Sequence, residues 1–154
     1  ITLGGRLLLD VGPKEDGTLD ERQEKVLLDL GSWIHDHEEA VYPTGKGLSY
    51  HQFLGGSTLS VDQQVLYLFL YDKPLESVCV KGVKTPVKRV TALHSGQELH
   101  FSYTGSLPWS GIPGTLWIWA QDLQTHPFAT VLKVELEGKI TYNLGHGEVV
   151  TNND

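Results

Sequence analysis

A chain of 154 residues suffices for one ordinary domain, or for a small domain with part of another attached, and is too short for a complete (β/α)8 barrel. A formal net charge of −7 without any Lys/Arg-rich run argues against a nucleic-acid partner, because phosphates need a basic footprint. The longest apolar run, Val65 to Tyr71, is far short of a membrane-spanning helix, and Cys79, alone in the chain, excludes an internal disulfide framework and a multi-cysteine metal site.

The first element is an apolar strand, Arg6 to Val11, which runs into a loop rich in Gly, Pro and Asp. From Asp20 to Glu38 the residues Val26, Leu27, Leu30, Trp33 and Ile34 recur at three- and four-residue spacing, with Asp20, Glu21 and Glu24 at the positive end of the dipole. The pattern predicts a helix capped by Thr18, its apolar stripe laid against Arg6 to Val11. A strand flanked in this way is half of a βα unit. Everything downstream reads as antiparallel, so its neighbours are expected to lie outside this polypeptide. The lack of any methionine, with Ile1 leading, fits a piece of a larger protein.

Within this first part Asp10 interrupts a run of leucines at the C-terminal end of the strand, where barrel enzymes assemble their sites, and is the candidate substrate contact. The alternative is that Asp10 accepts hydrogen bonds from its own loop. Lys14-Glu15-Asp16-Gly17 lacks the alternating ligands of a calcium loop and reads as a tight turn. Thr44-Gly45-Lys46-Gly47 reads as a linker. It divides the chain into residues 1–45, a sandwich over 46–146 and a frayed tail over 147–154.

Short strand-like runs follow at Gln52 to Leu59, Val65 to Tyr71, Ser77 to Val80, Val87 to His94, Glu98 to Tyr103, Thr115 to Ala120, Thr130 to Glu137 and Ile140 to Leu144. Val131, Lys133 and Glu135 alternate with Leu132, Val134 and Leu136, and Leu99, Phe101 and Tyr103 alternate with His100 and Ser102. Regular spacing of half-buried strands predicts an antiparallel β-sandwich. Trp117 and Trp119 share one face of one strand and are placed in its core. Trp109, in a Pro/Gly-rich loop, is the exposed aromatic and the second candidate substrate contact, by stacking on a sugar ring.

Seven histidines invite a metal reading that their spacing does not support. His35 and His37, two apart on a helix, point about 200° away from each other, whereas ligands on one helix recur at three or four residues. Both are expected to be solvated. His51, His94, His100, His126 and His146 are scattered, so no metal and no cofactor is assigned. The chain holds neither a nucleophile elbow of the Gly-x-Ser-x-Gly kind nor a dinucleotide loop.

Gly4-Gly-Arg-Leu-Leu-Leu-Asp-Val-Gly-Pro13, Asp16-Gly-Thr18, Gly31-Ser-Trp33 and Glu38-Glu-Ala-Val-Tyr42 together resemble the end of the catalytic domain in glycoside hydrolase family 29 α-L-fucosidases. Gly47-Leu-Ser-Tyr50 and Leu66-Tyr-Leu-Phe-Leu70 are similar, more weakly, to the sandwich that follows it. Arg6 and Asp10 stand where the family usually has Asn, and an ionised Asp10 accepts but cannot donate. The resemblance implies a mostly β chain: the terminal βα unit of a (β/α)8-like barrel followed by an antiparallel sandwich. It also implies a retaining exo-hydrolase of terminal α-L-fucose, with an Asp nucleophile and a Glu acid/base that both lie upstream of the matched stretch. No catalytic residue is therefore assigned here. The partner is a fucosylated glycan held by the upstream domain, with a homo-oligomer and a secreted, periplasmic or lysosomal location implied by the family. The competing reading is a carbohydrate-binding or structural sandwich without catalysis, resting on Trp109.

Overall fold

A computed structural model describes residues 1–143. The tail at 147–154, His146 and the Leu144 end of the last predicted strand lie outside the described residues.

Helix α1 spans Glu21–Asp36, and its N-cap is Asp20, whose carboxylate accepts from Arg22 N at 3.0 Å. Thr18, predicted as the cap, is engaged one turn earlier: its N and Oγ1 donate to Asp16 Oδ1 at 3.0 and 2.7 Å. These two bonds hold the Asp16 carboxyl below its ordinary range and close the turn that the sequence predicts. At His37 the chain breaks helical geometry and restarts as α2, Glu38–Val41.

The segment predicted as a strand, Arg6 to Val11, forms no strand and pairs with none of the described residues. Leu8 is 87% exposed, and Leu7, Leu9 and Val11 are exposed as well. A strand is held by a ladder on its edges, and no described segment of this chain supplies one.

Among the described residues eight strands follow: β1 Thr44–Lys46, β2 Gly56–Ser60, β3 Val65–Leu70, β4 Ser77–Lys81, β5 Val87–Ala92, β6 Phe101–Thr104, β7 Thr115–Trp119 and β8 Thr130–Leu136. They pair antiparallel in two sheets, one ordered β1-β2-β3-β8-β5 and the other β4-β7-β6. The Thr44 to Gly47 linker is thus largely an edge strand. Gly47 is required just beyond it, since a Cβ there would lie 2.5 Å from Ser57 Oγ. Of the strand predicted at Ile140 to Leu144, the described residues 140–143 form one bridge, Tyr142 to Val83.

Leu66, Leu68 and Leu70 of β3 and Leu132, Val134 and Leu136 of β8 meet Val78, Val80, Leu116 and Ile118 of the facing sheet. Each such side chain, fully buried, contributes about 1.5–3 kcal/mol. Tyr67, Phe69 and Val131 point to the other side of the five-stranded sheet and are also buried, under Ala40 and Trp33. The unbroken apolar run in β3 follows from this, because both of its faces are covered. The stripe of α1 is accordingly held at its C-terminal end by the sandwich, not solely by Arg6 to Val11 as the sequence predicts. Trp117 and Trp119 are on the outer face of their sheet: the core takes the alternate residues Leu116 and Ile118.

Candidate functional site

Asp10 faces α1 across an open cavity of about 310 Å³, lined also by Leu9, Val11, Arg22, Val26 and Leu27. Among the described residues its side chain makes no hydrogen bond, so the loop-capping alternative is not realised; Asp16 performs that task. Arg22 lines the same cavity, but its guanidinium Nε is held by Asp20 at 3.1 Å.

Trp109 is 85% exposed on a single 3-10 turn, Pro108–Ser110. The turn is closed by Ser110 N and Oγ, both donating to Leu107 O at 3.0 Å, and by Gly111 in the left-handed region at φ +73°. Proline at the first position restrains the backbone, and the indole is displayed because none of the described residues covers this loop. Asp10 and Trp109 belong to separate features, a cavity beside α1 and a loop that joins two strands of the three-stranded sheet.

A groove of about 640 Å³ lies beside β3 and β4, with Tyr50, Phe53 and Tyr71 as aromatic walls and His51, Asp72 and Lys81 among its polar groups. Cys79 also lines it. Burial pushes the Cys79 thiol up, outweighing the opposing effect of Lys81, so the thiol is a poor nucleophile at neutral pH.

The junction between the helices and the five-stranded sheet carries a connected set of polar side chains. Trp33 Nε1 donates to Ala129 O at 2.8 Å, and its ring lies 6.2 Å from Phe69. Glu39 accepts from Lys133 Nζ at 2.8 Å and from Tyr67 OH at 3.0 Å. Burial and then the Glu39 charge hold the Tyr67 phenol far above its ordinary value, so it remains a donor.

Next to this network His37, His94 and His126 come together, with ring centroids 5.3 to 6.0 Å apart. His37 is 0% exposed, a correction to its expected solvation, while His35 points outward as predicted. The signal for His37 is present in the spacing: it lies four residues after Trp33, on the apolar stripe. No local signal brings His94 and His126 to it. No group of three or more His, Cys, Asp or Glu side chains among the described residues is arranged to hold a metal ion.

Residues 1–39 match the sequence profile of the family described as alpha-L-fucosidase. Human plasma alpha-L-fucosidase is 41% identical over 44 residues, which are 29% of this chain and 9% of that protein. The alpha-L-fucosidase of Vibrio sp. strain EJY3 superposes with a TM-score of 0.73 at 21% identity, covering 87% of this chain and 23% of the other. A GH29 alpha-L-fucosidase from Bacteroides thetaiotaomicron, trapped as a covalent intermediate with 2-fluoro-fucosyl fluoride, gives a TM-score of 0.68 at 18% identity, covering 84% and 28%. At such identities the two structures establish the fold. The chain spans 9% to 18% of the length of the curated relatives it matches.

Proposed function

We propose that this chain is the C-terminal part of a retaining α-L-fucosidase, in which residues 1–45 complete a (β/α)8 catalytic barrel and the sandwich braces it. The homology to α-L-fucosidases supports a fucosidase-related function in the glycoside hydrolase class. The single observation that carries the finer reading is the unpaired leucine segment, Leu7 to Leu9, exposed beside a helix whose other end is docked on the sandwich. Such a segment is stable in water only when neighbouring strands cover both of its edges.

In a retaining mechanism one carboxylate attacks the anomeric carbon while a second, about 5 Å away, protonates the leaving oxygen. Both are assigned to the upstream part of the barrel. Here Asp10 contributes, at most, an acceptor for a substrate hydroxyl at the barrel mouth, and the α1–sandwich junction keeps that segment in place. The 154-residue chain alone should give no turnover of an aryl α-L-fucoside, and the protein extended upstream should be active. An extended protein that folds and leaves the fucoside intact defeats the proposal.

The exposure of Trp109 favours one second reading, a sandwich that binds glycan by stacking on its indole.

A further inference from the structure

We infer that His37, His94 and His126 form a proton-sensitive clasp: neutral, they hold the end of α1 and α2 on the sandwich, and protonated, they release it. The three rings come from three places, the α1–α2 break, the loop after β5 and the loop before β8. Their centroids are 5.3 Å apart for His37 and His126, 5.6 Å for His94 and His126, and 6.0 Å for His37 and His94. His37 also stacks on Trp33 at 4.6 Å, so the cluster is continuous with the residue that ties α1 to Ala129.

Hydrogen-bond partners assign the protons. His37 Nδ1 lies 2.8 Å from Trp33 O, a pure acceptor, so Nδ1 carries the proton and Nε2 is bare. That Nε2 is buried without a partner, as is Nδ1 of His94. His126 Nδ1 accepts from Phe128 N at 3.2 Å, which leaves the proton on Nε2, 3.9 Å from Asp36 Oδ2. A further proton on His37 would therefore create a buried cationic N–H with no acceptor, beside two other imidazoles.

The groups that face the cluster cannot offset three charges. From α1 it is Asp36, partly exposed, whose carboxylate is, among the described residues, the one anion acting on both His37 and His94. From α2 and β8 the next charged groups along the junction are Glu39 and Lys133, already paired with each other. From the two loops the facing groups are the histidines themselves. Burial is the main cause that holds His37 and His94 below the ordinary histidine value, helped by the neighbouring imidazoles; for His37 the hydrogen bond to the Trp33 carbonyl and then Asp36 pull the other way, and for His94 Asp36 does.

The sign follows. A base whose value is depressed in the docked state takes up its proton more readily when undocked, so docking is fully stable above the ordinary value of 6.5 and weakens as pH falls below it. Protons rather than a metal are assigned to the cluster because its ring nitrogens are not set around a common point that could hold an ion.

Amide hydrogen exchange on the upstream-extended protein, corrected for intrinsic rates, reads the clasp without any activity measurement. Between about pH 7.5 and about pH 5, protection across residues 33–41 should fall about tenfold or more while β3 and β8 keep theirs. The double variant His37→Gln, His94→Gln, which removes both rings with an unpartnered buried nitrogen, should show a much smaller fall. In the native protein the His37 and His94 ring protons should titrate below the ordinary histidine range. Equal protection of 33–41 at the two pH values, titration of both rings at or above that range, or a double variant as pH-sensitive as the native protein overturns the clasp. So does zinc alone raising protection at about pH 7.5, which would make the cluster a metal site.

Discussion

Asp10 and Trp109 are both reachable by solvent, yet their surroundings differ. Asp10 shares its cavity with Arg22 and apolar side chains of α1, whereas Trp109 stands on a turn closed by its own backbone hydrogen bonds and is left exposed by the described residues. Trp109→Ala should therefore leave thermal stability within about 0.5 kcal/mol, checked by calorimetric or denaturant unfolding. If the sandwich binds glycan through this indole, the same variant abolishes the signal on a glycan array. No binding by the native sandwich retires that reading. At this scale the sequence indicates exposure well for Trp109, because Pro108 and Gly111 define the loop locally. It misplaces His37, since the two-residue step from His35 separates those two rings but is silent on the four-residue step from Trp33, which puts His37 on the buried stripe.

Among the elements, β8 carries the most. It lies between β3 and β5, directs Leu132, Val134 and Leu136 into the sandwich and Val131 beneath the helices. Leu132→Ala should cost about 2–5 kcal/mol by denaturant titration, because the cavity left between two packed sheets cannot collapse. Lys133→Ala, on the same strand, loses a partly exposed ion pair with Glu39 and should cost at most about 1 kcal/mol. Alternation reveals this strand, since apolar residues at every second position line up on one side only when the backbone is extended. β1 is hidden for the opposite reason: Thr44-Gly45-Lys46 is polar and short, and it is a strand only because the edge of β2 is there to pair with.

In the molecule as a whole, a well-packed sandwich with its docked helix contrasts with an apolar segment that touches little. Leu7 and Leu8, with Val26 and Leu28 of α1, present hydrocarbon to water beside an unpaired backbone. The isolated 154-residue chain should self-associate, and Leu8→Lys should reduce that association in light scattering without lowering the unfolding temperature of the sandwich. An isolated chain that stays monomeric at high concentration would show that this surface needs no cover.

Alternating apolar residues, turn signals and a single amphipathic helix determined from sequence alone that the chain is mostly antiparallel β with one helix near its start. The motif from Gly4 to Tyr42 determined which enzymes it resembles. These properties are local: each depends on the covalent order of a few neighbouring side chains. Which face of β7 bears the tryptophans, where α1 docks and which histidines meet were decided only by the tertiary structure. Each depends on how two sheets stack and which loops they bring together, and segments as far apart as His37 and His126 have no covalent means of signalling that they will touch.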